Sequence, residues 1–297
     1  MKIGIDLGGS HIAVGLIESS GKLLSKKEVQ ILKEDEKNIK DIIENYIFGA
    51  VEEFSIGCEI DKVGIAIPGT VSDTTIVKSV NLGIEDYNIV KALARRIIVP
   101  IHIKNDAKCA AIAENTYGSL KNYKNALFLT IGTGIGGAVI YDNRLISPEG
   151  IPGFEFGHMI IKQNGKSCKC GKRGCFEQYC SMRAFKQRII EELELDNKID
   201  GEKLLNVVEE KKEDPIIADI IDEYLTDLSI GISNLINIFE PQAVGIGGSF
   251  VYFADLMLPK LKEKILSGNL LFNKRDDIAL KAATLGNDAG MIGASLI

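Results

Sequence analysis

Residues 153–181 read GFEFGHMIIKQNGKSCKCGKRGCFEQYCS. Cys168, Cys170 and Cys175 lie close together in this stretch, with His158 upstream. Three thiolates and one imidazole are the ligand set of a closed, tetrahedral structural zinc site. Gly165, Gly171 and Gly174 let the chain turn back around a small ion. Glu155 precedes the histidine and Glu177 follows the last of these cysteines, so a metal knot here would fix two carboxylates in space.

The rest of the composition sets the class around that knot. A chain of 297 residues, 45% of them hydrophobic, is long enough for one large domain or two lobes. Its formal net charge of −6 argues against general nucleic-acid or anionic-membrane binding, which favour positive surfaces. The opening MKIGIDLGGS carries neither an apolar signal core nor a basic leader. No run approaches the ~18 apolar residues of a membrane span. The expectation is a cytoplasmic protein with no nucleic-acid and no membrane partner. In that setting six cysteines favour metal or free thiols over disulfides.

Outward from the knot, the chain shows a recurring device of strand, glycine turn and strand. KIGIDL (2–7) reads as a buried strand that runs into Gly8-Gly9-Ser10. HIAVGLIE and, past a Ser-Ser-Gly-Lys turn, LLSKKEVQI follow as a hairpin pattern. Small residues let backbone N–H groups approach a phosphate, and Ser10 adds a hydroxyl. Asp6 can hold a magnesium ion, through water. A plain hairpin with a capping aspartate fits the same residues.

A helix is expected over 36–54, a buried strand over 63–69, then a polar, turn-rich segment in which Gly69, Ser79 and Asn81 can line a cleft. A helix around 86–96, a strand over 99–104 and a helix over 107–117 come next. Asn105 and Asp106 thus stand where a strand meets a helix, at the carboxyl end where open α/β sheets bind ligands. The helix dipole there favours an ionised aspartate. Such a group can accept a proton from a substrate hydroxyl, or it can simply cap the helix.

The strand 125–131 leads into Gly132-Thr133-Gly134, and with Gly137 this matches G-x-G-x-x-G. The dinucleotide fingerprint must open a helix. AVIY and an Asp142-Asn143 turn signal a second hairpin instead. Two such units, each with glycines and a hydroxyl, point to a duplicated nucleotide-binding fold. Helices are expected over 182–194, 201–210 and about 214–239. A strand over 242–246 then enters Gly247-Gly248-Ser249, a third glycine turn suited to lie against an adenosine. A helix over 253–266, a strand over 277–281 and a terminal helix over 287–297 complete the chain.

These residues together resemble the ROK family (repressor, open reading frame, kinase). Its most specific signatures are E-x-G-H-M at 155–159 and C-x-C-G-x-x-G-C-x-E at 168–177. The D-x-G-G start, Asn105-Asp106, the turn at 132–137 and Gly247-Gly248-Ser249 follow in family order, so the resemblance spans essentially the whole chain. It implies an α/β fold of two ribonuclease-H-like lobes of the actin/hexokinase ATPase superfamily with a cleft between them. The smaller lobe would hold residues 1–117 plus 287–297, and the larger one residues 118–286 with the zinc motif.

The resemblance also implies the ligands. ATP and Mg2+ would meet Asp6, Gly8, Gly9, Ser10, Gly132, Thr133, Gly134, Gly247, Gly248 and Ser249. A sugar would meet Gly69, Asn81, Asn105, Asp106, Glu155, His158 and Glu177, with Asp106 as general base. Structural Zn2+ would sit on His158, Cys168, Cys170 and Cys175. One ring nitrogen of His158 would bind zinc while the other donates to a sugar oxygen. A homodimer or homotetramer is the implied assembly. The chain departs from the family pattern in three places: Ser10-His11 stands for Thr-Lys, Phe154 for glycine, and no tryptophan follows Asn81-Leu82.

The activity so implied is an ATP-dependent hexose kinase, most directly a glucokinase making glucose 6-phosphate in glycolysis. N-acetylmannosamine, N-acetylglucosamine and fructose are alternative acceptors. A sugar-sensing ROK transcriptional regulator is the other alternative. Such regulators carry an N-terminal helix-turn-helix, and a first strand from residue 2 is expected to leave no room for one.

Overall fold

The computed structural model describes residues 1–9, 11–31, 38–147, 153–267 and 278–297. Ser10, the first residues of the helix expected over 36–54 and the first of the strand expected over 277–281 lie outside them. The strands are β1 (Lys2–Leu7), β2 (His11–Ile17), β3 (Leu23–Gln30), β4 (Lys62–Ile67), β5 (Thr70–Val71), β6 (Ile76–Ser79), β7 (Ile84–Tyr87), β8 (Ile101–Asn105), β9 (Ala126–Ile131), β10 (Ile135–Tyr141), β11 (Arg144–Ile146), β12 (Ala243–Gly247) and β13 (Ala279–Ala282). The helices are α1 (Ile39–Phe54), α2 (Ile89–Leu93), α3 (Asp106–Thr116), α4 (Glu177–Cys180), α5 (Met182–Leu193), α6 (Gly201–Lys211), α7 (Pro215–Phe239), α8 (Ala254–Ser267) and α9 (Ala289–Ala294). They form two compact units. One comprises Met1–Gly118, Arg144–Gly153 and Leu285–Ile297, the other Ser119–Asn143 and Phe154–Thr284.

The first unit is built on a sheet of order β3-β2-β1-β4-β8. β1 and β2 are antiparallel, and their turn is closed by Gly8 N–H donating to His11 O at 2.8 Å. β4 and β8 run parallel to β1. Helix α1 covers one face because Ile39, Ile43, Ile47 and Val51 repeat every four residues and form one apolar stripe. Ile3, Ile5, Val63 and Ile65 bury beneath it. Each such side chain contributes about 1.5–3 kcal/mol. On α9, Gly293 lies so close to α3 that a Cβ there would meet Cys109 O at 1.8 Å.

The expected turn-rich segment and the helix around 86–96 differ from what forms. Residues 70–87 make a small antiparallel sheet of order β5-β6-β7, and only α2 remains of the helix. Ile76 and Ile84 turn inward to the core, which gives these short strands a reason to exist. Asn88 then starts α2 as its cap, accepting from Lys91 N at 2.8 Å.

The second unit repeats the plan. Its strand order β10-β9-β12-β13 reproduces β2-β1-β4-β8, with the first pair antiparallel and the others parallel. Asp142 and Asn143 both have positive φ, 49° and 59°, as a two-residue hairpin turn requires. Helix α7 begins at a capping Asp214 with Pro215 in its first turn, and buries Ile217, Ile221, Leu225, Leu228, Ile232 and Leu235. Among the described residues no helix is long and apolar enough to cross a membrane.

Candidate functional site

In the first unit, β8 delivers Asn105 and α3 begins at Asp106. The helix cap is Asn105, whose Oδ1 accepts from Lys108 N at 3.2 Å. Its Nδ2 donates to Asp106 Oδ1 at 2.9 Å and to Gly69 O at 3.1 Å. Ala107 N also donates to Asp106 Oδ1, at 2.8 Å. The capping role open to Asp106 in the sequence thus belongs mainly to its neighbour, and Asp106 is oriented by two donors. Gly69 is held at φ 105°, with a would-be Cβ 2.3 Å from Lys78 O, so a side chain there would clash. Asn81 lies beside the first glycine turn: its Cβ is 3.1 Å from where a Cβ of Gly9 would be. The His11 ring lies against Gly8.

Asp6, near the end of β1, is half-buried, and its carboxylate is packed against Gly290 of α9. Burial first, then the charge of Asp106, pushes its pKa up to about 7; Lys26 opposes the rise, while Glu28 and Asp288 add to it. Lys26 itself bridges Asp288 at 2.9 Å and Glu28 at 3.2 Å. This concentration of carboxylates disfavours a further negative charge, which a nearby divalent cation would offset. Cys109 shares this neighbourhood, and burial holds its thiol well above the usual range.

In the second unit, a short 3₁₀ turn, Phe156–His158, and the turn before α4 bring the metal-type residues together. The four donor atoms of His158, Cys168, Cys170 and Cys175 all lie within 4.8 Å of one another. Cys170 and Cys175 sulfurs are 3.6 Å apart, as are Cys168 Sγ and His158 Nδ1. A tetrahedral zinc with bonds of about 2.3 Å to sulfur and about 2.05 Å to nitrogen has S–S edges of about 3.8 Å and S–N edges of about 3.6 Å. The donor set and its spacing therefore fit zinc. Gln178 Nε2 reaches Cys168 Sγ at 3.6 Å, the kind of outer contact that steadies a thiolate ligand. The knuckle is anchored by Phe176, whose ring fills the notch left by Gly231 on α7.

Glu177 opens α4, and its Oε2 accepts from Ile135 N at 3.0 Å. A Cβ on Gly134 would stand 2.4 Å from that same oxygen. The glycine turn at 132–134 is thus tied to the zinc knuckle, a link that no spacing in the sequence reveals. The turn also meets the third glycine element, since a Cβ on Gly132 would lie 3.9 Å from Ser249 Oγ. Gly248, at φ 73°, passes over Ile131 O, just behind them. Thr133 and Glu155 are exposed, while Ser249, His158 and Glu177 are half-buried.

The structure thus gathers Asp6, Gly8, Gly9, Gly69, Asn81, Asn105 and Asp106 in the first unit. It gathers Gly132, Thr133, Gly134, Glu155, His158, Glu177, the three cysteines, Gly247, Gly248 and Ser249 in the second. Lys26 and Asp288, which help set the charge on Asp6, escaped the sequence reading: they stand far from it in the chain and belong to no motif.

The ROK family model matches residues 2–297. Over 310 residues the chain is 31% identical to the glucokinase of Streptomyces coelicolor, covering 99% of this chain and 96% of that protein. It is 28% identical over 299 residues to the xylose repressor of Bacillus subtilis, covering 99% of this chain and 76% of that protein. The fold matches the crystal structure of a ROK family glucokinase from Streptomyces griseus in complex with glucose and AMPPNP, with a TM-score of 0.77, 27% identity and coverage of 99% and 97%.

Proposed function

The chain belongs to the ROK family, and from that premise we propose that it is an ATP-dependent hexose kinase with glucose as its first acceptor. N-acetylmannosamine, N-acetylglucosamine and fructose are the other acceptors to test. The observation that carries the reading is Asp106, a carboxylate held by Asn105 and Ala107 at the carboxyl end of a parallel strand. In the reaction a sugar hydroxyl gives its proton to Asp106 as its oxygen bonds to the γ-phosphorus of ATP. The bond from that phosphorus to the β,γ-bridging oxygen breaks, and ADP leaves. Such chemistry is chiefly positioning and charge stabilisation.

The other residues divide by ligand. Gly69, Asn81 and Asn105 are assigned to the sugar, as are the carboxylates of Glu155 and Glu177, which accept sugar hydroxyls, and His158, which donates through Nε2 while Nδ1 faces the thiolates. Gly8, Gly9 and Ser10, with Gly132, Thr133 and Gly134, line the phosphates, the N–H groups of Gly8 and Gly132 being spent on closing their own turns, and Gly247, Gly248 and Ser249 lie against the adenosine. Asp6 would hold Mg2+, which when bound offsets charge on the phosphates. Zinc on His158, Cys168, Cys170 and Cys175 would brace the sugar-binding groups and take no part in the transfer.

The test is ADP release from ATP with glucose, mannose, fructose and the two N-acetylhexosamines. Transfer to one of them supports the reading, and no release with any would sink it. Asp106→Asn should still bind that sugar yet lose ~10² or more in turnover; retained turnover removes Asp106 as base. The likeness to a xylose repressor supports a second reading, sugar binding without transfer, and the same assay decides between them.

A further inference from the structure

Phe154 stands immediately before Glu155 and adopts φ 61°, the left-handed region that bulky L-residues avoid. Its carbonyl accepts from Phe156 N at 2.8 Å, across Glu155, whose φ of −74° and ψ of 65° are those of an inverse γ-turn. Glu155 is therefore presented from a tight three-residue turn, with its own side chain exposed. Glycine would take this conformation without strain. The chain uses a phenylalanine, so the ring has a role that the backbone alone does not explain.

The ring contacts show what that role is. Phe154 meets Phe156 edge-on at 6.0 Å between centroids and Phe239 at 5.9 Å, and Phe156 and Phe239 lie 6.0 Å apart, closing a triangle. Phe239 is the last residue of α7. The Phe156 ring covers Gly137 on β10, where a Cβ would stand 2.4 Å from it. The turn that carries Glu155 is thus pinned to the long helix α7 and to strand β10 through three aromatic rings, and it leads directly into His158.

We propose that Phe154 is a positioning residue for sugar recognition: its ring, held between Phe156 and Phe239, keeps the strained turn that aims the Glu155 carboxylate. This rests on the reading of Glu155 as a sugar ligand. A carboxylate on a turn that relaxes would still reach water but not a fixed pair of hydroxyls. Misplacement of a binding group by about 1 Å can cost up to ~10² in reaction efficiency.

The experiment compares Phe154→Gly, Phe154→Tyr, Phe239→Ala, the double variant Phe154→Gly/Phe239→Ala and Glu155→Gln. Glucose KM and kcat are read by ADP release, and glucose Kd by calorimetry, on the full chain. Phe154→Gly should raise glucose KM and Kd about tenfold while kcat and the KM for ATP change less than about threefold, the signature of lost binding rather than lost chemistry. Phe154→Tyr keeps the ring and should restore the wild-type values. Phe239→Ala should reproduce the loss, and the double variant should add little to it, because both cut one set of contacts. A wild-type glucose KM in Phe154→Gly, or a Phe154→Tyr as impaired as Phe154→Gly, overturns the proposal. If Glu155→Gln raises glucose KM while Phe154→Gly does not, the positioning role alone falls. If Glu155→Gln leaves glucose KM and Kd unchanged, the sugar-ligand reading falls and takes the proposal with it.

Discussion

Replacing Asp6 by asparagine should make the protein more stable at alkaline pH and leave it little changed in acid. Desolvation of the carboxyl, and after it the charge of Asp106, raise its pKa from 3.8 to about 7. Below about pH 4 the group is protonated whether the chain is folded or unfolded, and it adds no pH dependence. As pH rises past 3.8 the unfolded chain releases the proton first, while the folded state keeps it until about pH 7. Stability therefore falls across that window and levels off above it. A gap of about 3 units at 1.36 kcal/mol each amounts to about 4 kcal/mol, of which about 3 kcal/mol develops between pH 4.5 and pH 8. Asparagine has nearly the same shape and no charge, so it still fits against Gly290. Urea unfolding of both proteins, in magnesium-free buffer without nucleotide, should show the stability difference growing by that amount from pH 4.5 to pH 8. Parallel curves for the two proteins over that range would refute the burial argument. Asp106→Asn removes the second cause of the shift, so in that background the upper end of the window should fall to lower pH and the total change in stability should shrink.

Three further outcomes follow from the contacts. Purified protein should contain about one zinc per chain by elemental analysis, and Cys170→Ser should lower metal content and sugar affinity together; a fully active, metal-free protein would end the zinc assignment. Gly134→Ala places a methyl 2.4 Å from Glu177 Oε2, so it should break the bond to Ile135 N, cost about 1–3 kcal/mol in urea unfolding and raise sugar KM; wild-type values of both would show that the carboxylate moves aside freely. Asn105→Ala removes the cap of α3 and the Nδ2 donor to Asp106, and should lose about 1–2 kcal/mol of stability together with a fall in kcat, whereas an unchanged kcat would mean that Asn105 does not orient the base.

What the sequence made legible was local. The second hairpin followed from AVIY and Asp142-Asn143, residues adjacent in the chain, and it prevailed over a glycine pattern that matched a helix-opening motif. The zinc donors stand within one short stretch, so their spacing alone marks them. The small sheet at 70–87 was not legible, because strands of two to four residues are too short for an alternating pattern to show. Asn105 took the cap from Asp106 through a one-residue choice of helix start, made by the extended ψ of 142° at Asn105. The bond from Ile135 N to Glu177 spans 42 residues, and the charge on Asp6 depends on Asp288 at the far end of the chain. Both are set by burial and by contacts across the fold.

Phe154 shows why the difference matters for reading a mutation. From the sequence, Phe154→Gly is the truncation of a hydrophobic residue and should destabilise. In the structure, the left-handed backbone costs about 1–3 kcal/mol, and two edge-on ring contacts return about 0.5–1.5 kcal/mol each. Loss of the ring's partial burial adds to those contacts, so Phe154→Gly should destabilise by less than truncation of an unstrained phenylalanine, and Phe154→Tyr separates that loss from any loss of sugar affinity. Sugar affinity, which depends on where Glu155 is held rather than on how stably the chain folds, is the quantity that should register it.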